Sequence, residues 1–269
     1  MDHRSLTNDL IPTKNGGPLA EVNMVFNKAI SSVSNGYPSG EFVSLISHEL
    51  RTPLTSVLGY LELVIDNQDL PPECRLEYLR RAQANVNHLV YVLNSAHELS
   101  RLEAGRPILG LTRIPLGQLL REVADGYAHQ AAVGGVQLMV EPVQEPLVLV
   151  TDRECLSKAL AHLVNNACKY TPNGGTIRIA VRRAPVEVFI DVVDSGIGIP
   201  EEEYEQVFTR FYRGRNARSA GARGAGLGLA SARALLGLLG GEITFRSECG
   251  AGSVFSIRLP LLSPADPVD

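Results

Sequence analysis

The sequence predicts an α + α/β protein, in which a helical hairpin precedes a domain of mixed helices and strands. Residues 41–66 and 72–103 carry apolar side chains at helical spacing, and a turn lies between them. From residue 114 onward, short apolar runs typical of strands alternate with helical patterns. We predict four segments: a linker or the end of an upstream helix (1–40), the hairpin (41–106), the mixed domain (107–262) and a tail (263–269).

The composition excludes several classes of protein. The 269 residues are 45% hydrophobic and 20% charged, with a net charge of -4 and a pI near 5.9. This balance does not indicate nucleic acid or an anionic membrane as a partner. The four cysteines are far apart, which favours reduced thiols over a zinc site. Because no apolar run approaches the roughly 18 residues of a membrane span, we predict a cytoplasmic chain, with any membrane sensor outside it.

The hairpin carries a pattern typical of helix association. Pro53 lies inside the first helix and is expected to bend it. The second helix has apolar residues at alternating spacings of three and four. They are Leu79, Ala82, Val86, Leu89, Leu93 and Ala96. One hairpin cannot cover such a seam, so we predict a homodimer whose hairpins form a four-helix bundle. The alternative is that the seam packs on the rest of its own chain.

The mixed domain is predicted as a succession of short elements. Helices are expected over residues 116–133, 153–170, 201–207 and 227–239. Strands are expected over residues 136–140, 147–150, 176–182, 186–193, 242–247 and 253–259. Thr151 and Glu154 form a predicted capping box that opens the second of these helices. We also predict a short helix over residues 20–33 and disorder from residue 264.

The first helix carries a candidate nucleophile. His48 falls opposite the apolar face on a helical wheel, followed at once by Glu49 and one turn later by Thr52. A neutral imidazole has a free lone pair near pH 7, and an adjacent carboxylate can orient it and accept its proton. A solvated surface histidine is the alternative for these residues alone.

Three segments of the mixed domain indicate a nucleotide site. The first, at a helix end, holds Asn166, Lys169 and Tyr170: an amide oxygen suits Mg²⁺, and an ammonium suits phosphate. The second follows a strand and holds Asp194, Gly196 and Gly198. A carboxylate there can accept a hydrogen bond from an exocyclic amine, and the glycines let the backbone approach a flat ring closely. Taken singly, they also fit a polar helix face and an ordinary turn.

The third segment precedes a helix. Gly224, Gly226, Leu227 and Gly228 provide backbone amides and a helix N-terminus that can hold phosphate. It does not follow a strand, which excludes a dinucleotide fingerprint, and the chain has no P-loop motif. Arg210 and the basic loop over residues 214–223 lie between the second and third segments, and the loop is a candidate lid.

Together these segments resemble the sensor histidine kinases of two-component systems, over residues 41–260. Residues 48–54 resemble the family's H box, 166–171 its N box, 194–198 its first glycine box, 208–211 its F box, and 224–228 its second glycine box. The order and approximate spacing of the five motifs agree with the family. Five ordered motifs are specific, although each one alone is weak.

The resemblance implies a dimerising hairpin followed by an ATP-binding α/β sandwich of the type found in gyrase and a heat-shock chaperone. It implies that His48 is phosphorylated by ATP and passes the phosphoryl group to an aspartate of a response regulator receiver domain. By motif position, Asp194 would bind adenine, Asn166 would hold Mg²⁺, and Lys169, Arg210 and the second glycine box would hold phosphates. The H-box pattern also implies that Thr52 serves dephosphorylation of the regulator.

One departure from the family pattern concerns the N box. His162 stands where the family often has another asparagine, and it shares a helical face with Asn166. We predict that it ligates Mg²⁺ directly or through water. This departure also leaves a second hypothesis open, in which the protein is a catalytically weak dimeric regulatory scaffold of the same family. A third alternative, an ATPase without histidine transfer, disagrees with the H box.

Overall fold

The computed structural model describes residues 40–67, 69–104, 108–143, 147–219 and 224–261. The predicted helix over residues 20–33 and the tail from residue 264 lie outside these ranges. By its internal contacts the chain divides into two compact units, residues 1–90 and 91–269. This division falls inside the second helix of the hairpin, before the predicted boundary at residue 106, so the predicted domain limits stay predictions.

The first unit contains the predicted hairpin. Helix α1 is Gly40–Asp66 and helix α2 is Pro72–Ala104, of which residues 91–104 belong to the second unit. Helix α1 continues through Pro53, and the hydroxyls of Thr55 and Ser56 donate to carbonyls one turn earlier. Near the turn, the rings of Tyr60 and Tyr78 stack with centroids 6.0 Å apart, which joins the two helices.

The second unit is a five-stranded sheet with three long helices. The strands are β2 (Gln137–Val140), β4 (Thr176–Arg183), β5 (Glu187–Asp194), β6 (Glu242–Glu248) and β7 (Gly252–Pro260), and the helices are α3 (Leu116–Val133), α4 (Arg153–Tyr170) and α6 (Gly228–Leu238). The strand order is β2-β4-β5-β7-β6, with β2 parallel to β4 and the other pairs antiparallel. Apolar side chains of all three helices and of the sheet form one core.

A second, two-stranded sheet corrects the sequence prediction. Strand β1 (Leu111–Pro115), which was not predicted, pairs antiparallel with β3 (Val148–Asp152). Its sequence carries a weak signal, because only Ile114 is buried and Pro115 ends the strand. The pairing extends β3 through Thr151, so the predicted cap at Thr151 was wrong. Asp152 caps α4 instead, and its carboxylate accepts the Cys155 N–H at 2.9 Å.

Two further elements differ from the prediction. Residues Glu201–Gln206 form a 3₁₀ helix, and the predicted lid begins with a short helix, α5 (Arg215–Ser219). Among the described residues, no helix combines the length and apolar character that a membrane span needs.

The strand register brings a carboxylate to the helix-covered side of the sheet. Asp194, the last residue of β5, lies between Ile177 of β4 and Ser253 of β7. Ile177 is fully buried in the core. Because residues opposite each other share a face, Asp194 also points toward the helices, beyond the end of the apolar layer.

The core predicts the effect of truncating α4. Leu160 is 0% exposed, and we expect Leu160→Ala to lower the free energy of unfolding by about 2–5 kcal/mol. Val186→Ala, at a side chain that is 70% exposed, is the control and is expected to change it by less than about 0.5 kcal/mol. Urea titration of both variants measures this, and equal losses would contradict the burial of Leu160.

Candidate functional site

A cleft in the second unit gathers the three segments singled out in the sequence. It lies between the end of α4, the turn after β5, the glycine-rich loop before α6 and the segment that follows the 3₁₀ helix. The predicted residues that line it are Asn166, Lys169, Tyr170, Asp194, Gly198, Gly224, Gly226 and Gly228. A backbone hydrogen bond from Ile197 N–H to the Tyr170 carbonyl, 3.0 Å long, joins the first segment to the second.

Three other predicted residues lie behind or beside this lining. Gly196 donates its N–H to Asp194 Oδ1 at 2.9 Å. Leu227 is fully buried, where it supports the glycine-rich loop from below. Arg210 is half-buried and is not one of the cleft residues. Contact of Arg210 with a ligand therefore stays a prediction.

Asp194 supplies a buried acceptor in the cleft. It is 8% exposed, and burial raises the pKa of its carboxyl, although the N–H groups of Gly196 and Ser253 oppose that rise. A carboxylate can accept more than these two hydrogen bonds, so it suits a ligand that donates an N–H of its own. The exocyclic amine of adenine is such a donor.

Two glycines of the cleft are required by close backbone contacts. Gly198 has φ +64°, and a Cβ there would overlap the Glu248 carbonyl. Gly226 has φ +69°, and a Cβ there would lie 2.6 Å from backbone atoms of Phe211 and Tyr212. The Phe211 N–H also donates to the Gly226 carbonyl at 2.9 Å. The glycine-rich loop is therefore packed directly on the F-box segment.

Two cations also line the cleft. Lys169 lines it together with Arg213. Burial, and secondarily the Arg213 guanidinium, lower the pKa of Lys169 to about 8. Two cations held together in a partly buried cleft repel each other, and an anion between them removes that repulsion. This pair of cations therefore suits a phosphate group.

The N-terminus of α6 lies beside these cations. An ideal Cβ on Gly224 would lie 3.5 Å from Lys169 Nζ, and one on Gly228 would lie 3.6 Å from Asn166 Oδ1. The side chains of α4 thus lie next to the glycine-rich loop and to the first residue of α6. The first amides of α6 add donors and a favourable dipole for a negative charge.

The segment after the F box is tied down by a buried acid. Glu203 is 4% exposed, and its Oε1 accepts the backbone N–H of Arg215 at 3.0 Å, at the start of α5. The Asn216 amide donates to the Gly198 carbonyl at 2.5 Å. Both contacts hold the first part of the predicted lid beside the cleft.

His162 has a partner that the sequence did not indicate. Its Nε2 lies 3.4 Å from a carboxylate oxygen of Glu98, in residues 91–104 of α2. Its Nδ1 faces the α6 terminus, 3.6 Å from an ideal Cβ on Gly228. Among the described residues, no group of three or more His, Cys, Asp or Glu side chains forms a metal cluster. A metal role for His162 stays a prediction.

Sequence reasoning missed several residues of the cleft, among them Tyr91, Glu203, Arg213 and Asn216. Arg213 lines the cleft, and Phe211, which adopts φ +61°, lies between it and Arg210 in the chain. A phenylalanine gives no signal for this conformation, which non-glycine residues rarely adopt. The available sequence signal for a cationic cleft residue was the pair Arg210 and Arg213, three positions apart.

The candidate nucleophile lies in the first unit. His48, Glu49 and Thr52 all lie on α1, as predicted, but the His48 side chain is outside the described part of the chain. Glu49 is half-buried and Thr52 is exposed. Thr52 is therefore accessible to a partner that approaches α1.

The lowered pKa of Lys169 predicts a pH dependence of anion binding. A bound phosphate favours the charged ammonium, so the affinity for ATP should fall as the pH rises above about 8, by up to about tenfold per pH unit. Arg213, Tyr91 and Tyr170 are the other ionisable groups near Lys169. In Lys169→Arg the cation stays charged, so this fall should disappear. Calorimetric titration with ATP from pH 7 to 9.5 measures this fall. An equal fall in affinity in both proteins would contradict the assignment of Lys169 to the phosphates.

Comparison with known proteins identifies the family of both parts of the chain. Residues 151–263 match the family described as histidine kinase-, DNA gyrase B-, and HSP90-like ATPase, and residues 39–105 match the His Kinase A phospho-acceptor domain. The sensor protein DivL of Caulobacter vibrioides is 36% identical over 220 residues, which are 82% of this chain and 28% of DivL. The histidine kinase CikA of Synechococcus elongatus is 34% identical over 245 residues, 89% of this chain and 32% of CikA. The chain thus spans about a third of these relatives.

Solved structures show the same architecture. The histidine kinase AdeS of Acinetobacter baumannii has a TM-score of 0.64 at 23% identity, over 80% of this chain and 98% of AdeS, which supports the fold. Full-length ShkA, solved in complex with AMPPNP, has a TM-score of 0.62 at 28% identity, over 85% of this chain and 47% of ShkA. With both domain matches in order and the five motifs in place, the chain belongs to the sensor histidine kinase family.

Proposed function

We propose that the protein is an ATP-dependent protein-histidine kinase that phosphorylates itself on His48. The observation that carries this proposal is the pair of cations, Lys169 and Arg213, that lines the same cleft as the buried Asp194. A cleft with a buried acceptor and a pair of cations suits a nucleotide with its base at Asp194 and its phosphates at the cations. The AMPPNP bound to ShkA, a relative in structure, supports the same ligand class.

The triphosphate would lie along the N-terminus of α6. The amides of the glycine-rich loop, with Lys169 and Arg213, would neutralise it and fix its orientation. Phosphoryl transfer depends mainly on such positioning and on stabilising the charge of the transferring group. The contacts that tie Arg215 and Asn216 to the rest of the cleft would keep the lid segment close to the nucleotide.

Mg²⁺ fits the donors present. The Asn166 amide oxygen faces the cleft beside Gly228, and Mg²⁺ usually takes one or two protein oxygens, with phosphates and waters as its other ligands. Asn166 would hold the ion. Bound there, it would neutralise charge on the β- and γ-phosphates.

At the reacting centre, a ring nitrogen of His48 would form a bond to the γ-phosphorus. The bond from that phosphorus to the bridging β,γ-oxygen breaks, and ADP leaves with the electron pair. Glu49, the next residue on α1, would accept the proton of the other ring nitrogen and stabilise the charged ring. The phosphoryl group would then pass to an aspartate of a response regulator receiver domain, the partner that the family implies.

The regulatory scaffold is the second candidate. The observation that favours it is His162, which stands where the family often has asparagine and which contacts Glu98. In this case the chain would bind nucleotide weakly and control a partner protein without transferring phosphate to His48.

The kinase proposal predicts an acid-labile, base-stable phosphoprotein when the full chain is incubated with γ-labelled ATP and Mg²⁺. We expect His48→Gln to abolish the label and to leave ATP affinity within about twofold, because His48 is separated along the chain from the three segments of the nucleotide site. His97→Gln, at an exposed histidine of α2, is the matched control and should keep the label. Label that persists in His48→Gln would contradict the acceptor, and nucleotide binding without label in the parent would favour the scaffold.

We also propose that the protein dephosphorylates its regulator, with Thr52 placing the attacking water. The Thr52 side chain is exposed on α1, and a hydroxyl one turn from the acceptor can hydrogen-bond a water in line with an acyl phosphate. Thr52→Ala is expected to keep autophosphorylation and to lose phosphatase activity, which Thr52→Ser should retain. Glu49→Ala is expected to slow autophosphorylation by about a hundredfold or more and to keep phosphatase activity. Rates of both reactions decide this, and an unchanged phosphatase rate in Thr52→Ala would remove Thr52 from the mechanism.

A homodimer through the hairpin completes the proposal. Leu79 and Val86, both in the predicted seam, are each 43% exposed in the single chain, while Ala82 between them is buried. A second hairpin would cover these exposed apolar side chains. Val86→Glu is expected to raise the dimer dissociation constant by at least about tenfold, because it places a charge in an apolar interface. Sedimentation equilibrium at micromolar concentration measures this. Gln83→Glu, at an exposed position of the same helix, is the control, and a monomeric parent would refute the dimer.

A further inference from the structure

The last turns of α2 lie along α4 within the second unit. The ammonium of Lys169 lies over the ring of Tyr91, 4.9 Å from its centroid. The same ring meets the His162 ring edge to face, with centroids 6.5 Å apart. Two turns later, the Glu98 carboxylate lies 3.2 Å from Lys158 Nζ and 3.4 Å from His162 Nε2. We call residues 91–98 the α2 clamp.

Tyr91 is placed beside the proposed phosphate site of the cleft. It is one of the cleft residues, and its hydroxyl would lie 3.3 Å from an ideal Cβ on Gly228, the first residue of α6. The ring therefore covers the cation and lies beside the helix N-terminus that would receive a triphosphate. The ammonium that contacts the ring is the same group that would contact a phosphate, so the two contacts draw on one cation.

Glu98 holds the clamp to α4. The Glu98 and His162 side chains are only 16% and 12% exposed, so their contact is well shielded from solvent. Burial alone would raise the pKa of Glu98, but the hydrogen bond to His162 and the ammonium of Lys158 together lower it. Lys158 is a weaker partner of Glu98, because it is 47% exposed and also contacts Glu154 at 2.7 Å. The pair of Glu98 and His162 is thus the more specific anchor.

We propose that the α2 clamp competes with the nucleotide for Lys169, and that His162 is a positioning residue of the clamp through Glu98 rather than a ligand of Mg²⁺. This rests on the proposed function, since the competitor is ATP. The side chain that departs from the family pattern is the one that reaches across to Glu98. An asparagine in its place is shorter and carries no ring to meet Tyr91.

The competition is reciprocal. A nucleotide that draws on Lys169 must weaken its contact with the Tyr91 ring, and a clamp held more firmly by Glu98 must weaken nucleotide binding by the same factor. A cation–π contact with a partly desolvated ammonium is strong enough to change nucleotide affinity about threefold to tenfold. Nucleotide binding would therefore loosen the end of α2, the helix that continues into the hairpin.

The experiment measures Mg-AMPPNP binding to the full chain by calorimetry, at several Mg²⁺ concentrations. Glu98→Gln, His162→Gln and Tyr91→Leu should each raise the affinity about threefold to tenfold and leave the half-saturating Mg²⁺ concentration unchanged. The Glu98→Gln, His162→Gln double variant should gain no more than the better single variant, because both remove one contact. Tyr91→Phe keeps the ring and should therefore gain less affinity than Tyr91→Leu.

Glu154→Gln is the matched control. It removes the other carboxylate partner of Lys158, on the exposed side of α4, and should leave the affinity within about twofold. Hydrogen exchange of the nucleotide-free chain gives a second measurement. Amides of residues 91–98 should exchange faster in Glu98→Gln and His162→Gln than in the parent or in Glu154→Gln, which also shows that the variants are folded.

The alternative role of His162 gives the opposite result. As a metal ligand, His162→Gln would lower the affinity and raise the half-saturating Mg²⁺ concentration, while Glu98→Gln would bind like the parent. That outcome, or additive effects in the double variant, overturns the clamp. A parent that binds no AMPPNP overturns the proposed function and with it the competition. If the parent and every variant bind AMPPNP with the same affinity, the clamp is overturned and the proposed function is not.

Discussion

The second unit depends on helix α4, because this one helix must both fill the core and supply polar residues of the cleft. Its buried residues, which include Leu156, Leu160 and Leu163, repeat at helical spacing and pack beneath the sheet. The remaining stripe carries His162, Asn166 and Lys169. Since the rotation of the helix is fixed by its apolar face, the position of the polar stripe follows from packing and not from any contact with a ligand.

The cleft shows how such a scaffold holds charged groups in surroundings that oppose their charge. Burial and the Arg213 guanidinium disfavour the charged form of Lys169, and burial disfavours the charged form of Asp194. Lys169 is positioned by the packing of α4, and Asp194 by the register of β5. Holding charged groups in this way lowers the stability of the fold, and a ligand of complementary charge can offset that loss on binding.

The part of the structure that could be predicted from the sequence depends on local periodicity and on short motifs. The hairpin, α4 and the strands around Asp194 follow from spacing, and Gly198 and Gly226 lie where close backbone contacts require glycine. What escaped prediction depends on partners distant in sequence or on rare backbone conformations. Strand β1 is stabilised by β3, the partner of His162 lies in another helix, and Arg213 follows Phe211, which has a rare positive φ.

Phe211 also has a consequence for how the cleft tolerates sequence change. A non-glycine residue at φ +61° costs on the order of 1 kcal/mol in backbone energy, and the hydrogen bond to the Gly226 carbonyl helps to hold it there. The F-box segment and the glycine-rich loop, although separated along the chain, are therefore coupled in stability. Substitutions in the two segments are expected to be non-additive, because a change that relaxes one of them leaves the other without its partner.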